Sequence, residues 1–429
     1  MAKADEFIEK YGFSSMFLAM DSDSASLSVP VDIEESRIDE DAAFVIRRLR
    51  RAGYEAYLVG GSVRDLLLSR RPKDFDVATS AAPEEIKQLF RRCRLIGRRF
   101  RLAHIIGQKG RVVETATFRS KPVRRSDDEI IWDDNEFGTV ESDAHRRDFT
   151  INGLFFCLES SRVLDFVGGI QDLDAQLLRT IGDPVVRFRE DPVRMLRAIK
   201  FAARLDFEIE PKCLEALKQE SGLLARAAVP RLLEELIRML RGGAAKQSIR
   251  LMYDCGVLEL LVPEIFALIS ESDADLDGQN LGSLLDGLDR FLTGKRRVDN
   301  SVAIATLFWP ICMHLLDGGK GYRGPQHFRE FSKHVMAGFA RRLSVPRRTM
   351  ESLLALMDSH LRFNRLTRRR SARSAFSRTP YYRDACHFAE LRFQSNDLDE
   401  PTYRRWEALM LEFPAVPRVK KYQRNFRRN

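Results

Sequence analysis

The sequence predicts an α+β protein: a small mixed-sheet head followed by an all-helical neck and body. Up to about residue 182, short apolar runs bounded by glycine and proline alternate with helical patterns. Beyond Asp183-Pro184 no segment reads as a strand, and helix follows helix between breaks at Pro230, Gly242-Gly243, Gly256, Pro263, Gly318-Gly319, Pro325 and Pro346. The expected divisions are a weakly ordered leader (1–36), the head (37–182), a helical neck (183–265), and a helical body with a basic C-terminal region (266–429).

Taken in order, residues 1–36 show no sustained period. Ala42, Val45, Ile46 and Leu49 recur at helical spacing and stop at Gly53, which predicts a helix over 38–52. Tyr57, Leu58 and Val59 predict a strand that ends at Gly60-Gly61, with a short helix through Leu66–Leu68 behind it. The stretch DFDVAT (Asp74–Thr79) reads as a second strand. A helix starts at Ala82-Pro83-Glu84-Glu85, with proline in its first turn, and runs to about Arg92. Further strands are expected at Leu95–Gly97, Leu102–Ile106 and Val112–Phe118. Charges crowd Lys121–Asn135, which reads as an exposed, mobile loop anchored by Trp132. From Asp143 helical pattern dominates, apart from β-like pieces at Val163–Phe166 and Arg179–Ile181.

Composition bounds the partners. The 429 residues include 71 Lys and Arg against 62 Asp and Glu, a net charge of +9 that favours a polyanion without identifying one. Six cysteines stand singly, with no CxxC pair, which argues against a zinc site or a disulfide framework and fits a reducing, cytoplasmic setting. No stretch approaches the ~20 apolar residues of a membrane span, and the first residues lack the apolar core of a signal peptide.

Chemistry concentrates at four places. The Gly60-Gly61 turn between a strand and a helix offers backbone N–H groups to phosphate, with Arg64 one helical turn on. It has neither the Lys-Ser/Thr ending of a Walker A loop nor the spacing of a dinucleotide fingerprint. Asp74 and Asp76, placed on one face of a strand about 6–7 Å apart, suit a pair of divalent ions acting on a phosphate. A glycine-rich turn and a solvated Asp pair explain each half separately; together at this spacing they point to a site. In RRDFTIN (Arg146–Asn152), Asp148 is placed to join the first two carboxylates and Arg147 to meet phosphate or sugar oxygens, although a helix start carrying Asp with solvated arginines is the better explanation of that motif taken alone. In EDPVRMLR (Glu190–Arg197), Asp191 makes an N-cap and Pro192 a first helical residue, while Arg194 and Arg197 share one helix face. An Asp–Arg pair facing a base accepts from an exocyclic amine and donates to the adjacent ring nitrogen. That selects adenine and cytosine over guanine and uracil, with no template.

These motifs, LVGGSVRD (Leu58–Asp65), DFD (Asp74–Asp76), RRDFTIN and EDPVRMLR, resemble in order those of the class II tRNA nucleotidyltransferase/bacterial poly(A) polymerase family. The resemblance covers roughly residues 40–265, including RLLEE (Arg231–Glu235) and GVLELLVP (Gly256–Pro263). It implies a polymerase-beta-like palm in which Asp74 and Asp76 bind two Mg²⁺ ions. Asp148 would be the third acidic catalytic residue, with Glu114 a competing candidate. Gly60, Gly61, Arg64 and Arg147 would hold the triphosphate or ribose, and Asp191, Arg194 and Arg197 would face the base. One metal would activate a primer 3′-hydroxyl and the other steady the leaving pyrophosphate.

Within that family, RLIGRRFRLAHI (Arg94–Ile105) resembles the poly(A) polymerase branch, as do ARRLSVPRR (Ala340–Arg348) and the segment from Thr379 to Arg392; the terminal basic tail, Arg418–Asn429, is short for that branch. His104, alone in an apolar strand, reads as a core or near-site residue and not as a catalytic one. The run Arg368, Arg369, Arg370 and Arg373, interleaved with Phe363, Phe376, Tyr381 and Tyr382, suits RNA through charge and stacking; a solvated helix face over buried rings fits it nearly as well. The expectation is a monomeric enzyme that adds AMP from ATP to RNA 3′ ends. The rivals are CCA addition to tRNA and, from another class, a non-catalytic RNA-binding protein on the same fold.

Overall fold

The computed structural model describes residues 27–97, 102–108, 110–120, 137–270, 276, 280–293, 296–316 and 321–415. The Lys121–Asn135 loop with Trp132, the Arg418–Asn429 tail and most of the leader lie outside these residues. Residues up to 198 together with 206–220 form one compact unit; 199–205 and 221 onward form the other. The helices Pro184–Glu190 and Pro211–Glu220, expected in a separate neck, therefore group with the head.

Among the described residues, the large sheet of the first unit has eight strands: β1 (Leu27–Pro30), β2 (Ala56–Val59), β3 (Asp76–Thr79), β4 (Cys93–Ile96), β5 (Leu102–Ile106), β6 (Val112–Thr117), β7 (Leu154–Cys157) and β8 (Arg162–Asp165). Their order across the sheet is β1-β8-β7-β2-β3-β6-β5-β4. Only β3 and β6 run parallel; the other neighbours are antiparallel, so the sheet is mixed.

Two of these strands depart from the expectation. Leu27–Pro30, inside the supposed leader, pairs with β8 and forms one edge of the sheet. Leu154–Cys157, inside a stretch that reads as helical, pairs with both β2 and β8. Leu154, Phe155 and Phe156 are all buried, so the segment shows no polar–apolar alternation to mark it as a strand. Arg179–Ile181 is not a strand; Thr180 only forms an isolated bridge with Phe149. The strand nearby is β9 (Leu177–Leu178), paired in parallel with β10 (Glu208–Ile209), which puts a strand beyond Asp183 after all. At two residues each, neither is long enough to carry a period.

The second unit is helical among its described residues. At its centre, Asn300–Leu315 is buried from Ser301 to Cys312 and starts at Asp299, whose carboxylate caps the Ser301 N–H. Arg347–Leu361 and Asn280–Thr293 pack on it. A second cluster joins Phe363, Phe376, Tyr382, Trp406 and Leu409, with the rings of Phe363 and Trp406 stacked at 4.0 Å. Among the described residues, no helix is long and apolar enough to cross a membrane.

Candidate active site

The site is built where β2 ends. Gly60 takes φ 71° and ψ −129°, a conformation that a side chain strongly disfavours, and its N–H donates to the Leu154 carbonyl of β7. A Cβ on Gly60 would stand 3.2 Å from Arg147 Nη1, so the missing side chain also lets that guanidinium approach the turn. The helix Gly61–Leu67 follows directly, and its first N–H groups have no partner within the helix.

Arg64 lies elsewhere than expected. It is only 2% exposed; Nε and Nη2 donate to Asp65 Oδ1 at 2.9 and 2.6 Å, and Nη1 to Asn152 Oδ1 at 2.6 Å. This buried guanidinium ties the turn to the Thr150–Asn152 segment from below, and the phosphate contact expected of it is not what its surroundings favour. An arginine signals charge in a sequence; its burial depends on Asn152, far along the chain.

The strand at the Asp pair starts at Asp76, so Asp74 stands in the approach to the strand and not within it. Asp74 is exposed, 3.6 Å from Lys73 Nζ. Asp76 is exposed as a residue, yet protein atoms crowd its carboxyl. That crowding, and then the negative charge of Glu114 and Asp74, push it up to about 6 against the pull of Arg147. Glu114 arrives here because β6 runs parallel beside β3 with Thr115 in register with Val77. It is thus the carboxylate the structure brings to Asp76.

Asp148, in contrast, is engaged elsewhere. Its Oδ2 accepts from Arg197 Nε at 2.7 Å and from Nη2, and its Oδ1 from Asn152 Nδ2 and the Phe149 N–H. Burial opposes ionisation, but Arg197, Asn152 and Phe149 outweigh it and hold the carboxyl down at about 2. Of the two candidates for a third carboxylate, Glu114 is the one whose charge acts on Asp76, while Asp148 is tied to Arg197.

Around this centre arginines crowd. Arg147 donates through Nε and Nη2 to Asp143 Oδ2 and lies 5.0 Å over the Phe155 ring. Arg187 donates through Nη2 to the carbonyls of Arg146 and Arg147, and through Nη1 to Glu190 Oε2 at 2.7 Å. Arg194 Nη1 donates to the same Glu190 oxygen and to the Arg187 carbonyl, both at 2.9 Å. Burial and the like charges of Arg119, Arg147, Arg194 and Arg187 lower Arg146 to about 9. Asp191 ends the helix Pro184–Glu190 and accepts from the Val193 N–H, as an N-cap does. Glu190, Arg187 and Asn152 were missed as organisers; the shared Glu190 oxygen has a local signal, since Arg187, Glu190 and Arg194 stand three and four apart.

His104 on β5 lies 3.6 Å from Glu114 Oε1, near the site but not in it. Of the four C-terminal arginines, Arg368, Arg369 and Arg370 are exposed, whereas Arg373 is paired with Glu412 at 2.7 Å. Phe363, Phe376 and Tyr382 are core residues around Trp406, so those rings are not available for stacking on bases; Tyr381 is half-buried against Phe376.

Among the described residues, no three metal-ligating side chains form a preassembled cage. The donors present still fit a hard divalent cation: Asp74 and Asp76 supply only oxygens, and the Asp76 carboxyl, raised first by burial and then by the negative charge of Glu114 and Asp74, would gain from a cation beside it. Such an ion is typically held by one or two carboxylates and completed by substrate phosphate oxygens.

The family model described as "Poly A polymerase head domain" matches residues 56–179, and that described as "Probable RNA and SrmB- binding site of polymerase A" matches residues 206–269. The chain is 36% identical over 397 residues to poly(A) polymerase I of Salmonella typhimurium, covering 89% of this chain and 84% of that protein. It is 41% identical over 213 residues to the CCA-adding enzyme of Levilactobacillus brevis, covering 49% and 52%. A crystal structure of the Bacillus stearothermophilus CCA-adding enzyme in complex with CTP shares the fold, with a TM-score of 0.59 and 23% identity over 87% of this chain and 82% of that one.

Proposed function

Since the chain belongs to the class II tRNA nucleotidyltransferase/bacterial poly(A) polymerase family, we propose that it adds AMP from ATP to RNA 3′ ends without a template. The observation that carries adenylate addition is the extent of the likeness: it runs nearly the whole chain with the poly(A) polymerase and about half the chain with the CCA-adding enzyme. That shared half favours CCA addition as the second reading.

In this reading the 3′-oxygen of the primer bonds to the α-phosphorus as the bond to the pyrophosphate oxygen breaks. Asp74 and Asp76 hold divalent cations, Mg²⁺ in our proposal, which supply charge stabilisation at the reacting phosphate. The backbone amides of the Gly60-Gly61 turn and the guanidinium of Arg147 take the triphosphate. Glu190 holds Arg194, and Asp148 holds Arg197, so that these arginines and Asp191 stand fixed towards the base. Preset donors of this kind cost no reorganisation when the charge moves. The exposed arginines Arg368, Arg369 and Arg370 hold more distant RNA phosphates.

The deciding experiment offers ATP or CTP singly, with Mg²⁺, to an unstructured RNA and to a tRNA lacking its CCA end. A long ATP-dependent ladder on the unstructured RNA supports the proposal. Use of CTP followed by a single A, confined to the tRNA, would turn it to CCA addition. No incorporation on either primer would leave an RNA-binding protein on this fold.

A further inference from the structure

The strands leading away from Asp76, on the side opposite the glycine turn, have no part in the reading above. Glu114 of β6 is in register with His104 of β5, and His104 with Arg94 of the edge strand β4. One face of these strands is core, with Ala103, Ile105, Val113 and Thr115 buried. The other face carries Leu102, His104 and Ile106, all half-buried, beside Arg94, Ile96 and Val112, all exposed. Ile96 and Val112 are 47% and 54% exposed, so one sheet face turns an apolar patch and a cation to water within a few strands of Asp76.

Direction decides what that face is for. In an in-line displacement the attacking oxygen enters opposite the leaving group. The triphosphate belongs at Gly60 and Arg147, on the β2 side of β3, so the attacking hydroxyl arrives from the β6 side. We propose that the open face of β4, β5 and β6 seats the last nucleotides of the RNA primer. Arg94 meets a backbone phosphate, and the aliphatic side chains and the His104 ring underlie the terminal sugar and base. This inference rests on the proposed function. It also assigns Arg94 and His104, which sit in a segment that resembles one family branch, to the choice of RNA and not to the choice of nucleotide.

The test is steady-state extension of a short oligoadenylate, too short for distant contacts to compensate. Arg94→Glu should raise the KM for the oligonucleotide about tenfold. The KM for ATP and the preference for ATP over CTP should not move. Arg94→Lys should stay near the unaltered protein, and Val112→Asp, acting from another strand, should shift the oligonucleotide KM in the same direction as Arg94→Glu. An unchanged oligonucleotide KM, an equal rise in the KM for ATP, or equal damage by Lys and Glu would overturn the assignment. If the unaltered chain extends the oligonucleotide and these variants fail the pattern, the sheet face alone falls. If the unaltered chain incorporates nothing, the proposed function falls and takes this inference with it.

Discussion

Two places, one in each compact unit, hold charge in opposite ways. In the helical unit Arg392 is matched: Nε donates to Asp397 Oδ2 at 2.5 Å, the guanidinium lies 4.3 Å over Trp309, and the Trp309 indole and Asn280 amide donate to the same carboxylate. His360 beside it is kept neutral by burial and by Arg392, and bonds the Ala385 carbonyl. In the head, like charges share a place: Arg146 among four other arginines, Asp76 between Glu114 and Asp74. The matched set around Arg392 is scaffold. Crowding of one sign costs stability, and a ligand of the opposite charge relieves it.

The sharpest break of this comparison is one carboxylate from each unit. Asp76→Ala should lower incorporation by about a thousandfold or more while leaving the urea midpoint level or slightly raised, because it removes repulsion. A loss of folding equal to the loss of activity would show that Asp76 is scaffold. Asp397→Ala should do the reverse and cost about 3–5 kcal/mol of unfolding free energy, since it strands Arg392 in the interior. Short-primer turnover per folded molecule should then stay near normal.

A smaller effect sharpens the arginine side. Inorganic tripolyphosphate without metal should raise the melting temperature of the head, by the equivalent of about 2.7 kcal/mol at a hundredfold excess over its dissociation constant. Arg147→Gln should weaken that binding roughly tenfold, or about 1.4 kcal/mol. No shift with tripolyphosphate would mean that the crowded arginines are balanced by the protein itself.

The smallest effect is in pH. Asp76 and, in the helical unit, Asp289 are both raised to about 6. Burial is the main cause at each, but Asp289 is opposed by the N–H groups of Ala245 and Lys246 that it caps. A raised carboxyl keeps its proton in the folded form after the unfolded chain has released it. Metal-free protein should therefore lose stability as pH rises from about 4 to about 6. Asp76→Asn should flatten part of that slope and Asp289→Asn another part. Added Mg²⁺ should flatten only the part that Asp76 contributes.

How much of this was legible differs by kind of feature. Gly60 and Asp76 announce themselves because a left-handed turn and a carboxylate at a strand start leave local marks. Leu154–Cys157 left none, since burial on both faces erases alternation. Arg64 reads in the sequence as an exposed cation because residue type implies exposure, while in the fold Asp65 and Asn152 accept its hydrogen bonds in the interior. Phe363, Phe376 and Tyr382 fitted either a stacking surface or a core until Trp406, distant in sequence, closed over them. Glu114 came into the site through the parallel pairing of β3 and β6, a register that no stretch of residues declares on its own.

The edge strand Leu27–Pro30 carries a practical consequence. It covers the outer hydrogen-bonding edge of β8, and Arg162 fastens it by donating to the hydroxyl and carbonyl of Ser28. A chain trimmed to begin at residue 37 would present that row of backbone groups to any other strand in solution. Leu27–Pro30 thus act as a cover, and a chain shortened past them would leave the β8 edge open to pairing with another strand.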